Sequence, residues 1–248
     1  MQVDLALYRN SASENARIGD LMALLPPGTS ALDIGARDGF ISKLLADRFA
    51  DVTALDLRQP QINHPRIQCV QGDITALSFP DDSFDLVFCA EVLEHIPPHL
   101  LVTACRELAR VAGQYVLIGV PYRQDIRVGR TTCGRCHRVS PPWGHLNTFD
   151  QPRLRELFPG LTVAKRTFVG QTNEHTNSLS SALMDLAGNP YGSYAQDEPC
   201  GHCGAVLTPP PPRRLWQKVA SKAAFVGIGL QRRFVKPHPN WIHLLLKK

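Results

Sequence analysis

At 248 residues, 44 % apolar and 20 % charged, the chain is long enough to bury a sizeable core without disulfide staples, as one domain or one domain with an appendage. No segment approaches the roughly 18 apolar residues that a membrane-spanning helix needs. The net charge of +5 hides an asymmetry: nine Lys or Arg and no acid follow Glu198, while the rest of the chain carries 18 basic residues against 22 acidic.

The N-terminal stretch MQVDLALYRNSASENARIGD has acidic residues and no long apolar run. No leader is expected, and a cytoplasmic protein is the simplest reading. The seven cysteines are then thiols or metal ligands before they are disulfides. SENARIGDLMALL has apolar residues at helical spacing and stops at Pro26 and Pro27. SALDIG reads as a short buried strand leading into the turn GARDG, and FISKLLADRF as the helix that follows. DVTALDL, RIQCVQGDI and FDLVFCA are the next strands, PPHLLVTACRELARVA a helix, and QYVLIGV a fifth strand. Strands alternating with helices predict a parallel sheet covered on both faces, with ligands beyond the carboxyl ends of its strands.

The residues at those ends carry chemistry. Gly35 and Gly39 permit a tight strand-to-helix turn and close approach of a ligand to backbone. The middle glycine of the G-x-G-x-x-G fingerprint is missing, which disfavours a nicotinamide dinucleotide. Asp56 ends the second strand, 21 residues after Gly35, a spacing that suits a carboxylate accepting two ribose hydroxyls. Asp73 ends the third strand, where it could meet an adenine edge. Asp33 lies beside the turn and could face a cationic ligand.

Four ordered motifs, ALDIGARDG, ALDL, QGDITALSFPDDSFDLVFCAEVLEHI and VLIGVP, resemble the class I S-adenosylmethionine-dependent methyltransferases over residues 13–120. The resemblance implies a Rossmann-like, doubly wound α/β sheet of seven strands with the last strand antiparallel and inserted between the fifth and sixth. It also implies that Gly35 holds the methionine portion of S-adenosylmethionine, Asp56 the ribose and Asp73 the adenine. Asp33, Gly39 and Ile74 complete the expected cofactor site.

Glu91, Glu94 and His95 in EVLEH fall just past the fourth strand. On a helix, Glu91 would share a face with Glu94 and with His95, and the three side chains can hold a hard or borderline divalent cation such as Mg2+. E-x-x-E-H resembles the metal-binding motif of small-RNA 2′-O-methyltransferases and of the O-methyltransferases of ubiquinone biosynthesis. Those enzymes place a further His after the fifth strand, and His145 stands at about that place. The divalent ion would lower the pKa of a substrate hydroxyl, whose oxygen then attacks the methyl group. The alternative is a metal-free site with His145 as general base.

Cys133-Gly-Arg-Cys136 has a counterpart in Cys200-Gly-His-Cys203. Two C-x-x-C knuckles can close a tetrahedral four-cysteine zinc site, which leaves no open position and is therefore structural. His137, His145 and His202 are possible substitutes for one cysteine. Cys69, Cys89 and Cys105 lie in strand or helix patterns and read as core residues. LTVAKRTFVG is expected as the sixth strand. The polar run from Gln171 to Ser178, with Glu174 and His175, begins where that strand ends and reads either as substrate contacts or as a plain polar loop. Arg123, Arg127, Arg130, Arg135 and Arg138 crowd the region after the fifth strand and would suit a phosphorylated acceptor.

TPPPPRR is a stiff linker. RLWQKVASKAAFVGIGLQRRFV follows, with Val219, Ala223, Val226, Leu230 and Phe234 on one helical face and Lys218, Lys222 and Arg232 elsewhere. Such a basic amphipathic helix either packs on the core or rests peripherally on an anionic membrane. NWIHLLLKK is the final strand. The organisation expected is a core over 1–125, a substrate-side insertion with the zinc knuckle and sixth strand over 126–212, and the basic helix with the last core strand over 213–248. The function expected is an O-methyltransferase for a small or lipid-linked acceptor of natural-product or glycosidic type. The alternative is an RNA 2′-O-methyltransferase, supported by E-x-x-E-H, the knuckle and the basic tail.

Overall fold

The computed structural model describes residues 11–248, so the first half of the stretch read as lacking a leader lies outside the described residues. Two compact bodies divide the chain. A sheet body takes Asn15–Tyr122, Phe149–Gly170 and Asn240–Lys248; the second body takes, of the described residues, 11–14, Arg123–Thr148 and Gln171–Pro239.

The sheet body is built from β1 (Ser30–Ile34), β2 (Asp51–Asp56), β3 (Ile67–Gln71), β4 (Phe84–Ala90), β5 (Ala112–Pro121), β8 (Thr162–Val169) and β9 (Trp241–Lys247), in the order β3-β2-β1-β4-β5-β9-β8. The pairs from β3 to β5 are parallel; β9 runs antiparallel to both β5 and β8. The last strand therefore lies between the fifth and sixth core strands, as the sequence implied. The order reverses between β1 and β4, and that switch point is where open α/β sheets form a ligand crevice.

Alternate side chains of each strand serve opposite faces. Ala31, Leu86, Phe88 and Leu117 join Leu21 of α1 (Ala12–Ala23), Leu24 just past its end, and Leu45 of α2 (Phe40–Ala46). Leu32, Val87, Cys89 and Ile118 join Leu101, Cys105 and Leu108 of α3 (Leu101–Val111) and Leu154 of α4 (Gln151–Leu157). Cys89 and Cys105 are thus core residues, and Cys69 packs half-buried at the first face. The helix starts follow from local chemistry: Ser11 Oγ accepts from Glu14 N–H at 3.2 Å, and Asp150 Oδ1 from Arg153 N–H at 2.9 Å.

In the second body a short hairpin, β6 (Thr131–Thr132) with β7 (Val139–Ser140), carries the first cysteine pair. α5 (Ser178–Leu186) is capped by Asn177 Oδ1, which accepts from Ser180 N–H at 2.8 Å, and packs along α6 (Leu215–Arg232). α6 buries Ala220, Ser221 and Ala224, while the apolar face read from its periodicity stays outside. Small residues win because they let the helix axes approach: a Cβ on Gly227 would stand 2.4 Å from Ser180 Oγ. Val219, Ala223, Val226, Leu230 and Phe234 are left exposed. No helix among the described residues is long and apolar enough to cross a membrane.

Candidate functional site

β1 ends at Ile34 and the chain turns at once. Gly35 (φ 76°), Arg37 (φ 47°) and Gly39 (φ 77°) take left-handed backbone. A Cβ on Gly35 would lie 2.5 Å from Val92 Cγ2, and one on Gly39 2.3 Å from Ile62 Cδ1, so geometry and space both require glycine. Gly35 and Ala36 donate backbone N–H bonds to Leu55 O at 2.8 and 3.1 Å, tying the turn to the end of β2. Asp56 follows Leu55, and its carboxylate accepts from Arg37 N–H at 3.0 Å and Arg58 N–H at 3.3 Å. It is thereby held against the glycine turn. Asp73 is exposed at the end of β3, with Thr75 N–H and Oγ1 donating to its Oδ1 at 2.8 and 2.7 Å. The side chain of Ile74 is spent in the core beside Leu55 and Leu77.

Asp33 does not face an open crevice. It is buried, and Ser42 Oγ donates to its Oδ2 at 2.5 Å. Burial raises its pKa to about 7, with the Ser42 bond opposing and the charge of Asp56 assisting. The unfolded chain releases this proton near 3.8 and the folded one near 7, so the group's contribution to stability falls as pH rises between them and is flat above. Asp33→Asn keeps the Ser42 contact and cannot ionise. Denaturant melts should show the variant gaining on the parent, on going from about pH 5 to pH 8, by on the order of 2–3 kcal/mol. An equal difference at both pH values would refute the assignment.

Beyond β4 the structure departs from the helix expected at EVLEH. Glu91 has φ 56°, and Leu93–His95 form a single 3-10 turn, so a shared α-helical face does not exist. The three groups still lie along one short segment. Glu91 sits 3.8 Å from the Arg17 guanidinium and accepts from Trp241 Nε1 at 3.4 Å. Glu94 is fully buried, and neither of its carboxylate oxygens has a hydrogen-bond partner. Burial first, and the Glu91 charge second, hold its pKa well above the carboxylate range, while Arg17 opposes. Burial, with Arg37 assisting, lowers His95 to about 4, so its imidazole is neutral at physiological pH. An unpartnered buried carboxyl beside a neutral imidazole is a donor set that fits a divalent cation, which would draw off the Glu94 proton. Sequence reasoning missed the polar residues next to this segment: Asp20 of α1 accepts from Thr167 Oγ1 and lies 2.6 Å from the buried His243 Nδ1. No motif flags them, because α1, β8 and β9 meet only in the folded sheet.

In the second body the four cysteines converge. Cys133 Sγ is 3.7 Å from Cys203 Sγ, Cys136 Sγ is 3.6 Å from Cys200 Sγ, and all four sulfurs lie within 4.8 Å of one another. A tetrahedron with Zn–S bonds of about 2.3 Å has S···S edges of about 3.8 Å. The two knuckles repeat one hydrogen-bond pattern: His137 N–H to Cys133 O and Gly204 N–H to Cys200 O, both 2.9 Å, then Cys133 N–H to Arg138 O and Cys200 N–H to Ala205 O. His137 and Gly204 close them in left-handed backbone. Cys200 falls to about 6 although burial opposes it, because the His202 and Cys203 N–H groups donate to its sulfur. Cys136 rises to about 11: the Arg138 N–H lowers it, but burial and the other sulfurs outweigh that. Four sulfurs at these spacings, once deprotonated, fit a cation at their centre.

His145 is buried in the second body, its Nδ1 2.6 Å from Gln124 Oε1. The same body carries a partly open pocket of about 240 Å³ whose lining includes Glu174, His175, Tyr191, Phe225 and Arg232. Arg127 and Arg130 also line it, but their charge is offset locally by Asp125 at 2.8 Å and Asp185 at 2.6 Å, so two of the five arginines read as a phosphate site are already paired.

Residues 32–117 match the family model of a methyltransferase domain. The matched stretch contains the whole glycine turn, the three acids and the Glu91–His95 segment. Over 101 residues the chain is 33 % identical to the ubiquinone biosynthesis O-methyltransferase of Pseudomonas aeruginosa (strain UCBPP-PA14), covering 36 % of this chain and 44 % of that protein. The chain thus matches less than half the length of that relative. The N-methyltransferase NodS from Bradyrhizobium japonicum WM9 superposes with a TM-score of 0.51 at 20 % identity, over 66 % of this chain and 92 % of that one. YcgJ from Bacillus subtilis does so with a TM-score of 0.53 at 14 % identity, over 94 % and 97 %. Likeness at such identities establishes the fold alone.

Proposed function

We propose that the protein is an S-adenosylmethionine-dependent O-methyltransferase acting on a hydroxyl of a small or lipid-linked acceptor. The observation that carries this reading is the placement of Asp56, a carboxylate bonded to the Arg37 N–H and so held beside the glycine turn at the carboxyl end of β2. Asp56 would bind the ribose hydroxyls, the Gly35–Gly39 turn the amino-acid portion, and Asp73 the adenine edge. When bound, S-adenosylmethionine supplies an electrophilic methyl group on a sulfonium. The chain's own task is to remove the acceptor's hydroxyl proton. Glu91, Glu94 and His95 would do so by holding a divalent ion that acidifies the hydroxyl. The alternative is His145: Gln124 Oε1 accepts the proton on Nδ1, which makes Nε2 the basic nitrogen. The four cysteines would hold a structural zinc ion, since four thiolates complete the tetrahedron and leave no site for substrate.

The test is transfer from methyl-labelled S-adenosylmethionine into a fractionated cell extract. Label in the lipid or small-molecule fraction, lost with Asp56→Ala, is the expected result. Nuclease-sensitive label would overturn it in favour of an RNA 2′-O-methyltransferase, which the Glu91–His95 donors also suit.

A further inference from the structure

The second body presents one surface that the proposed chemistry does not use. At about 100° of rotation per residue, Leu215, Val226, Val219, Leu230 and Trp216 occupy a single arc of roughly 100° on α6. All five are exposed, from 48 % for Trp216 to 79 % for Leu215, and Phe234 just beyond the helix is 86 % exposed. The opposite side, through Ala220, Ser221 and Ala224, is the one that packs. Lys218, Lys222 and Arg232 are exposed and form a second arc directly beside the apolar one. No acidic residue occurs anywhere from Pro199 to Lys248 to balance them.

Soluble proteins rarely leave so continuous an apolar stripe in water. An apolar stripe flanked by cations on one side of a helix matches the cross-section of a bilayer surface, with hydrocarbon below and anionic headgroups beside it. We propose that this outward face of α6 docks on an anionic lipid bilayer. The uniform positive charge argues for lipid over a second copy of the chain, because two such faces brought together would oppose like charges. Docking would seat Trp216, Val226 and Leu230 below the headgroups, with Lys218 and Lys222 at their level. The helix lies flat and does not span.

The test uses the full chain and sedimentation with vesicles of phosphatidylcholine, with or without about 30 mol % phosphatidylglycerol. Binding to the mixed vesicles should be at least about tenfold tighter than to the neutral ones. Val226→Glu with Leu230→Glu should abolish it; both side chains are exposed, so the fold is kept. Lys218→Gln with Lys222→Gln should reduce the anionic preference about tenfold. Fluorescence lost to brominated lipid should fall in Trp216→Phe, since Trp216 is the indole on that face. Equal affinity for both vesicles, or none for either, would overturn the proposal. So would a dimer in sedimentation velocity that the glutamate variants dissolve, because the face would then be an interface between copies. No readout depends on methyl transfer.

Discussion

Asp56→Ala is expected to weaken S-adenosylhomocysteine binding about 100-fold, measured by titration calorimetry. The reasoning starts from the carboxylate's position. It is bonded to the Arg37 N–H at 3.0 Å, so its orientation is fixed before any ligand arrives. Two ribose hydroxyls donating to a charged acceptor contribute roughly 1.5–3 kcal/mol each in context, and about 3 kcal/mol corresponds to a factor of roughly 100. Alanine also frees the Arg37 N–H, which loosens the turn. Asp56→Asn separates the two effects, because its amide oxygen still accepts from Arg37 while the charge is gone. It should lose only the weaker Arg58 N–H bond at 3.3 Å, melt closer to the parent than the alanine variant does, and lose most of the affinity. An affinity unchanged in both variants would remove Asp56 from the cofactor site and with it the main support for the proposed function.

The second large effect is expected at the cysteines. Purified protein should carry about one zinc per chain, and Cys200→Ser should lose it. Structural zinc contributes apparent binding energies of about 10–16 kcal/mol in small sites, far above the stability of a typical domain. Loss should therefore unfold the residues the cluster ties together, opening Arg123–Thr148 and Gln171–Pro239 to protease. A strong chelator should have the same effect on the parent. Metal-free protein with the parent's protease resistance would exclude the site.

Much of the sheet body was legible in the sequence because its signals are local. Leu32, Val87 and Ile118 sit in short apolar runs bounded by glycine, proline or charge, and such runs are buried strands in an α/β alternation. The Gly35–Gly39 turn and Asp56 could be located from spacing alone, since a strand end and the following turn are adjacent in chain and in space. The same holds for the cysteine knuckles, whose C-x-x-C geometry is set within five residues. Their pairing across more than sixty residues was an inference from valence: a tetrahedral ion needs four ligands, and each knuckle offers two.

Other features were decided by packing. Asp33 looked available to a ligand from its place beside the turn, yet the folded chain buries it against Ser42, and only that burial raises its pKa to about 7. EVLEH carries helix-forming residues, but Glu91 takes left-handed backbone and the segment closes as one 3-10 turn. Arg127 and Arg130 counted as free positive charge until Asp125 and Asp185 came beside them. In α6, periodicity identified an apolar face correctly but could not tell which side would be covered. Gly227 and Ala224 let α5 approach the small-residue side, and the large side chains stayed outside. The sequence by itself determined the strand order's family, the glycine turn, the acids at the strand ends and the paired knuckles, because each is written in neighbouring residues. Which charges are paired, which carboxyls are dry and which helix face meets water depend on partners distant in the chain, and only the tertiary structure brings those together.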